Sequence, residues 1–293
     1  MNTGRVHLSV LDFKQIEPYS DEYLKMLFDY YADQTDNKIQ NELVSELMIR
    51  YADVSKQLEE KNLLLKKHNE NLEELVQEKV KEISASQMAT IHALVKSAES
   101  RDDDTGAHIE RTSNFCGIIA DKLFEANAYP AIVDEAYSEN ISKASPLHDI
   151  GKVGIKDAIL LKPGKLTDDE FATMKTHVKI GYETLASVGM MYPENNFIKI
   201  GIEIARYHHE KWDGSGYVSG LSGEDIPLSA RIMALSDVYD ALRSRRVYKE
   251  PYSHEKTAEI ISEGRGTHFD PVLVDILLDN AGLFNDAYNR LSA

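Results

Sequence analysis

Five short segments of the chain carry imidazole and carboxylate side chains at spacings suited to metal ions. The residues are Asp104 and His108, the adjacent pair His148 and Asp149, His177, the tandem pair His208 and His209, and Asp237. Imidazoles and carboxylates without a thiolate favour Fe, Mn or another borderline to hard ion over a structural zinc. Two such ions a few ångström apart would bridge a hydroxide nucleophile and neutralise a phosphate. The combination predicts metal-assisted attack on a phosphate ester.

Each segment taken alone also has an ordinary structural explanation. A lone His-Asp pair is more often a cap or a surface feature, and His177 fits a satisfied core histidine. The tandem His208 and His209 precede a Gly-rich turn that a surface loop would explain equally well, although such a turn also lets backbone approach a ligand. It is the presence of all five segments in one helical domain that favours a metal site.

The roles expected of Asp237, Asp240 and Lys152 depend on the helices that carry them. The segment after Pro227 is apolar almost all round, so it predicts a largely buried helix. A buried carboxylate costs on the order of several kcal/mol unless it meets a cation or a metal, which makes Asp237 a candidate ligand. Asp240, one turn further on, is expected to fix a neighbouring Arg or a ligating His. Lys152 lies one turn after His148 if that helix continues, where it can meet a bound anion.

The region that holds these residues reads as helix after helix, from about Ile91 to the end. Thr167 and Glu170 form a capping box, and Phe171 and later apolar residues follow at helical spacing, so His177 is expected inside this capped helix. Asp270 followed by Pro271 predicts another helix start. We therefore expect an all-α domain of about 200 residues.

A second kind of region precedes it, because residues 19–105 contain no Gly and no Pro. The stretch 36–99 predicts one long helix or two nearly continuous ones. Its middle carries a heptad pattern typical of a parallel two-stranded coiled coil, with Leu58, Leu65 and Leu72 at d and Asn62, Asn69, Val76 and Ile83 at a. The alternative is a solitary charged helix that packs on its own domain. We expect three parts: a short segment 1–35 of unknown role, with a helix over 20–32; a coiled-coil linker 36–97; and a catalytic domain 98–293.

Composition limits the partners and the compartment. The formal net charge is -16, from 33 Lys and Arg against 49 Asp and Glu, so binding to DNA or RNA is disfavoured and an anionic ligand needs a local positive site. The single cysteine, Cys116, cannot form an internal disulfide and suits a reducing compartment. The chain offers neither a signal peptide nor an apolar run long enough to span a membrane, so we expect a cytoplasmic protein.

The order of these motifs resembles that of the HD-GYP family, metal-dependent phosphodiesterases that open the bacterial second messenger cyclic di-GMP. The resemblance covers about residues 99–278 and rests on the motifs HDIGKVGI (148–155), ILLKPGKLTDDEF (159–171), MKTH (174–177), HHEKWDGSGY (208–217), ARIMALSDVYDAL (230–242) and GTHFDP (266–271). It implies an HD-domain-like helical bundle, two or three Fe or Mn ions, and pGpG as the first product, cut further to GMP in some members.

Carried over residue by residue, the family's metal ligands fall on His108, His148, Asp149, His177, His208, His209 and Asp237. Asp104 stands where members with three metals have Glu. The resemblance also implies catalytic roles for Asp149 and Lys152, and substrate binding by Lys152, Tyr217, Arg246 and Lys249.

The chain departs from the family pattern at two prolines: Val218 ends the GYP motif and Val247 lies inside the RPYK-like segment 246–249. The altered GYP loop and the coiled coil leave a second hypothesis, a receptor or adaptor that binds cyclic di-GMP or a signalling protein without hydrolysis. A third is a related metallophosphohydrolase that acts on another nucleotide.

Overall fold

The computed structural model describes residues 38–99, 107–245 and 250–292. Within these ranges the chain forms α-helices and short 3₁₀ turns and no β-strand, which confirms the all-α prediction. The predicted helix over 20–32, Asp104, Arg246 and Lys249 lie outside the described residues. The described chain divides into two units between Ser84 and Ala85. None of its helices is both long and apolar enough to cross a membrane.

Helix α1 runs from Lys38 to Glu99, so the predicted long helix is confirmed as one continuous element of 62 residues. Its middle is rich in Glu, Lys, Leu and Gln, residues with high helix propensity, and no Gly or Pro interrupts it. The apolar side chains of the heptad pattern stay largely exposed along this helix, as Leu58 (58% exposed) and Leu65 (59%) illustrate.

The remaining helices pack into the bundle that carries the predicted ligands. Their bounds are α2 Ala107–Glu125, α3 Glu135–Ala144, α4 Asp157–Leu160, α5 Asp168–Met174, α6 Thr176–Gly189, α7 Asn196–Tyr207, α8 Leu228–Arg243, α9 His254–Glu263, α10 Pro271–Asp279 and α11 Ala281–Ser292, with 3₁₀ turns at Ser145–Leu147, Ile150–Gly154 and Gly223–Asp225.

The two predicted helix starts are confirmed in atomic detail. Thr167 Oγ1 accepts a hydrogen bond from the backbone N–H of Glu170 at 3.3 Å, and the Glu170 carboxylate accepts one from the N–H of Thr167 at 2.7 Å. The Asp270 carboxylate accepts from the N–H of Val272 at 2.8 Å, with Pro271 at the first position of α10. Both caps satisfy backbone donors that a helix start leaves unpaired.

The sequence predicts one capped helix from Thr167 onward. This prediction is wrong in one respect, because the helix is broken at Lys175. Helix α5 ends at Met174 and α6 begins at Thr176, so His177 lies in the first turn of a second helix. The backbone tightens at this point: the Val178 N–H donates to the Lys175 carbonyl, three residues back. Such a 3₁₀-type turn is common where helices begin and end.

Helix α8 forms the centre of the core, as its all-round apolar sequence predicts. Most of its residues are buried, from Leu228 to Asp240. The fully buried ring of Phe115 in α2 stacks on Phe284 of α11 with centroids 5.5 Å apart and meets Tyr239 of α8 edge-on at 5.0 Å. Aromatic pairs of this geometry add to the free energy of hydrophobic burial, so α2, α8 and α11 form a firm support for the residues between them.

The C-terminal turns of α1 pack on the same unit as the bundle. Val95 is 1% exposed and forms a small buried cluster with Ile109 of α2 and Leu147 of the 3₁₀ turn before His148. Ile109 and Leu147 are the sequence neighbours of two predicted ligands, His108 and His148. The end of α1 therefore supports backbone that holds ligand side chains.

Candidate metal centre

The seven ligand residues that the motifs indicate come together in two groups. Asp149, His177, His208 and His209 form one, and His108, His148 and Asp237 form the other, with the candidate ligand atoms of each group within 4.8 Å of one another. They lie as many as 129 positions apart in the sequence: His108, His177 and Asp237 in helices α2, α6 and α8, His148 and Asp149 in the turn between two 3₁₀ segments, and His208 and His209 directly after α7. The eighth candidate, Asp104, lies outside the described residues.

The adjacent pair His148 and Asp149 links the two groups. His148 Nε2 lies 3.2 Å from Asp149 Oδ2, while the other carboxylate oxygen of Asp149 lies 3.3 Å from His177 Nε2 and 3.9 Å from His208 Nε2. In the second group, His108 Nε2 lies 3.8 Å from Asp237 Oδ1. Because Asp149 faces both groups, its carboxylate can serve two neighbouring ions at once.

Four of the histidines are oriented by a hydrogen bond at Nδ1. The partner is a backbone carbonyl for His148 (Ser145, 2.9 Å), His177 (Met174, 2.8 Å) and His208 (Ile204, 2.9 Å). A carbonyl oxygen only accepts, so Nδ1 carries the proton of each neutral ring and Nε2 keeps its lone pair. For His108 the acceptor is the Asp240 carboxylate, at 2.8 Å. The four Nε2 atoms thus face the two groups as metal ligands require.

Burial keeps all three histidines of the first group neutral at physiological pH. It lowers the pKa of His177, lowers that of His209 to about 4, and holds that of His208 well below its usual range. For Asp149, burial opposes ionisation, but Lys152, His148 and His177 together outweigh it and hold the carboxyl pKa well below its ordinary value. Neutral imidazoles beside an ionised carboxylate are the protonation states that bind a cation.

Three buried polar atoms of the first group fit the requirements of a metal ion. Asp149 Oδ1, His177 Nε2 and His208 Nε2 are buried and make no hydrogen bond to any described group. Leaving such atoms unsatisfied costs free energy, roughly 1–3 kcal/mol each. Three of them converge on one point, and a cation bound there would satisfy all three together.

The prediction that Asp237 is the buried carboxylate of α8 is wrong, because its side chain is 26% exposed. The buried one is Asp240, at 1%. Asp237, three residues earlier on the helix, belongs to the group that contains His108 and is only partly buried there. Asp240 points into the protein, where it accepts from His108 and from Arg111 Nη2 at 2.9 Å, so its expected role in fixing an Arg and a His is confirmed.

Lys152 and Tyr217, two predicted substrate contacts, lie against the first group. Lys152 Nζ is 2.9 Å from Asp149 Oδ2. The ring of Tyr217 stacks on His209 with centroids 4.7 Å apart and planes 28° from parallel. Burial raises the pKa of the Tyr217 phenol, so it remains a hydrogen-bond donor at neutral pH. Arg246 and Lys249 lie outside the described residues.

The loop that carries Tyr217 is tied down on both sides of it. The Tyr217 N–H donates to the His209 carbonyl at 3.2 Å, and the Ser219 N–H donates to the buried carboxylate of Glu210 at 2.6 Å. A Cβ added at Gly216 would lie 2.4 Å from the backbone nitrogen of Lys211, so only glycine permits this close return of the chain. These contacts fix Tyr217 over His209.

Sequence reasoning missed two side chains beside the site, Phe171 and Lys175. The Phe171 ring meets Tyr217 edge-on at 6.2 Å, and Lys175 Nζ lies 4.7 Å from the Phe171 centroid and 5.3 Å from that of Tyr217. The sequence analysis interprets Phe171 only as part of the apolar face of a helix. The spacing of four residues between an aromatic ring and a cation, which places both on one helical turn, is the signal that could have identified them.

Comparison with known proteins agrees with the family resemblance of the sequence motifs. A sequence model of the HD domain matches residues 110–273. A probable cyclic di-GMP phosphodiesterase of Vibrio cholerae serotype O1 is 49% identical over 233 residues, 79% of this chain and 53% of that protein. A cyclic di-GMP phosphodiesterase of the same organism is 51% identical over 197 residues, 67% of this chain and 40% of the relative.

A third relative from Vibrio cholerae serotype O1 is described as 3′3′-cGAMP-specific phosphodiesterase 2. It is 42% identical over 190 residues, which are 65% of this chain and 34% of that protein. The chain thus spans between about a third and about half of the lengths of these three relatives.

Proposed function

Because the chain belongs to the HD domain family and carries the motifs of its HD-GYP group, we propose that it is a metal-dependent phosphodiesterase that hydrolyses cyclic di-GMP. The observation that carries the proposal is the meeting of two His and carboxylate groups at the pair His148 and Asp149. The described relatives, two of them named for cyclic di-GMP, support the choice of substrate. Residues 98–293 are the proposed catalytic domain and 36–97 the proposed linker.

The proposed cofactors are two divalent ions, Fe or Mn, with a third if Asp104 contributes. Asp149, His177, His208 and His209 would hold one ion, and the second group, His108, His148 and Asp237, the other. Imidazole and carboxylate donors suit these metals. When bound, the ions supply a water nucleophile at neutral pH and positive charge against the phosphate.

The chain's own residues then bind and orient the dinucleotide. Lys152, held beside Asp149, supplies a positive charge for a phosphoryl oxygen. The Tyr217 hydroxyl donates a hydrogen bond to the ligand, and Arg246 and Lys249 bind phosphate from the segment 246–249. Hydrolysis adds one water across a P–O3′ bond, with hydroxyl to phosphorus and proton to the 3′ oxygen. The first product is pGpG, and a second cut yields GMP.

We propose that α1 pairs with a second copy of the chain as a parallel coiled coil. The heptad residues Leu58, Leu65 and Leu72 are 44–59% exposed in one chain, and burial of such a stripe is the driving force for pairing. Replacing all three by Ser should convert a dimer to a monomer in sedimentation analysis. If the wild-type protein sediments as a monomer, α1 is a solitary charged helix instead.

We also propose that a signalling protein binds the segment 1–35 or α1.

The compartment is proposed to be the cytoplasm. The single cysteine, Cys116, has no second cysteine in the sequence with which to form a disulfide, which suits a reducing environment.

The proposal is tested with the full chain loaded anaerobically with Mn²⁺ or Fe²⁺. After its metal content is measured, it is incubated with cyclic di-GMP or 3′3′-cGAMP and the nucleotides are separated by chromatography. We expect pGpG or GMP from cyclic di-GMP. The double variant H148A/D149A should lose metal and product together, whereas H68A, which removes an exposed histidine of α1, should keep both.

The alternatives predict different results in the same experiment. Unchanged cyclic di-GMP with a metal-loaded protein that binds it would favour the receptor or adaptor. Faster cleavage of 3′3′-cGAMP would favour another dinucleotide, in line with the name of one relative. Turnover retained by H148A/D149A would contradict the proposed site.

A further inference from the structure

Three aromatic rings lie in series from the metal centre towards solvent. His209 belongs to the first ligand group, Tyr217 stacks on it at 4.7 Å, and Phe171 meets Tyr217 at 6.2 Å with planes 79° apart. His209 and Tyr217 are partly buried, whereas the outermost ring, Phe171, is 45% exposed. The exposed ring of Phe171 is thus separated from the ligand residue His209 by a single ring, that of Tyr217.

A positive charge accompanies this surface. Lys175 Nζ lies 4.7 Å from the Phe171 centroid and 5.3 Å from that of Tyr217, within the range of a cation–π contact. The Lys175 N–H donates to the Phe171 carbonyl at 3.0 Å, so the two residues share one helical turn. An ammonium group therefore lies close to the face of an exposed aromatic ring.

The turn is held in place from outside the site. The capping box of Thr167 and Glu170 fixes the start of α5, and the Glu170 carboxylate also pairs with Lys162 at 2.5 Å. Lys175 is the link to α6, where His177 enters the ligand group two residues later. The position of Phe171 relative to the metal centre is therefore set before any ligand arrives, which reduces the ordering cost of binding.

We propose that Phe171 and Lys175 form a guanine-binding subsite at the rim of the metal centre. The inference rests on the proposed function, in which a cyclic dinucleotide places a phosphate at the metals and its bases nearby. Every base has a π-face that stacks on an aromatic ring. Guanine presents two acceptors, O6 and N7, on one edge, whereas adenine presents a donor amino group beside N7. A lysine ammonium, which only donates, therefore discriminates in favour of guanine.

The experiment measures binding and turnover separately with the metal-loaded full chain. Binding uses a slowly hydrolysed phosphorothioate analogue of cyclic di-GMP in calorimetry. Turnover gives kcat and KM for cyclic di-GMP. Loss of stacking in F171A should weaken binding at least about 5-fold, the low end for one stacked base. KM should rise with kcat nearly unchanged, because the contact is made equally in ground and transition states.

Matched variants separate the contribution of base stacking from that of side-chain volume. F171W keeps a planar face and should retain wild-type affinity, whereas F171L keeps apolar volume alone and should behave as F171A. F124A removes another exposed aromatic ring, on α2 and 51% exposed, and should change nothing. Equal metal content in all variants excludes damage to the ligand groups. Wild-type affinity in F171A or F171L would overturn the stacking inference.

The lysine is tested by base discrimination. K175Q should reduce the preference for cyclic di-GMP over 3′3′-cGAMP, while K179Q, an exposed lysine of α6 paired with Glu183 at 3.7 Å, should preserve it. An unchanged preference in K175Q would overturn the guanine assignment. If wild type cleaves cyclic di-GMP and F171A is normal, the subsite fails and the function stands. If F171A weakens binding but wild type forms no product, the subsite stands and the function fails.

Discussion

Asp240 Oδ2 lies 2.8 Å from Nδ1 of His108, the ring whose other nitrogen faces Asp237. The same carboxylate accepts two hydrogen bonds from Arg111. Burial lowers the pKa of His108, but the hydrogen bond to Asp240 and the charge of Asp237 outweigh it and raise the pKa overall. Asp240 therefore orients one ligand and makes it more basic, without facing an ion itself.

Replacing Asp240 by Asn should weaken metal binding selectively. Loss of such an outer hydrogen bond to a ligating His costs about 10- to 100-fold in metal affinity. The effect should fall on the group that contains His108 and spare the group that contains His177, so stoichiometry should decline from two ions to one at limiting metal. The control is D286N, which changes an exposed carboxylate of α11. Equal loss of both ions in D240N would contradict selective positioning.

Replacing Gly151 by Ala should disrupt the metal centre by steric overlap. A Cβ at Gly151 would lie 1.9 Å from the His177 carbonyl oxygen and 2.6 Å from the Gly181 nitrogen. Overpacking of this kind costs roughly 1–3 kcal/mol of folding free energy, or more, and it displaces His177 from Asp149. We expect a lower urea midpoint and loss of metal from the first group.

The matched control for this variant is G282A. A Cβ at Gly282, in α11, would have no heavy atom within 4 Å, and Ala is favoured over Gly in a helix by up to about 1 kcal/mol. G282A should equal or exceed wild type in stability. A stable, metal-loaded G151A protein would show that the 3₁₀ turn at Ile150–Gly154 adjusts without cost.

Cys116 should resist alkylation in the native protein. Burial raises the pKa of its thiol to about 12, so at pH 8 only about one thiol in 10⁴ is the reactive thiolate. Iodoacetamide labelling, followed by mass spectrometry, should be negligible in buffer and complete in urea. Rapid labelling of the folded protein would mean that α2 opens locally.

Replacing Asp270 by Ala should destabilise the bundle strongly. Its carboxylate pairs with the buried Arg231, accepts from the Tyr129 hydroxyl at 2.9 Å, and caps α10. Removing one partner of a buried ion pair costs about 3–5 kcal/mol because the other charge is left unpaired. D275A breaks the exposed pair with Arg265, 2.7 Å long, and should cost at most about 1 kcal/mol. Similar urea midpoints for the two variants would contradict this difference.

The sequence predicts the side chains of the site better than their surroundings. Residue type and helical context single out Asp149, His177 and Asp237 because five segments with metal-binding side chains occur in one helical domain. The carbonyl acceptors of Ser145, Met174 and Ile204 are invisible in a sequence, since every residue has a carbonyl and only the fold decides which one meets an imidazole.

The presence of the helices could also be predicted from the sequence, but the positions at which they break could not. The long α1 and the capped starts at Thr167 and Asp270 follow from propensity and capping chemistry. The break at Lys175 leaves no mark, because Lys continues a helix readily and tertiary packing of His177 decides the turn. Which of Asp237 and Asp240 is buried was equally beyond a pattern of apolar residues, since the side of α8 that faces the ligand groups depends on how the helices pack.

The packing of Val95 against Ile109 and Leu147 has a thermodynamic consequence. Ile109 and Leu147 are the sequence neighbours of His108 and His148. A rearrangement of the end of α1 that alters this cluster therefore also alters the free energy of binding an ion to these two histidines. Coupling between two equilibria is reciprocal. Loading the site with metal should therefore change the stability of the packed end of α1 by the same free energy.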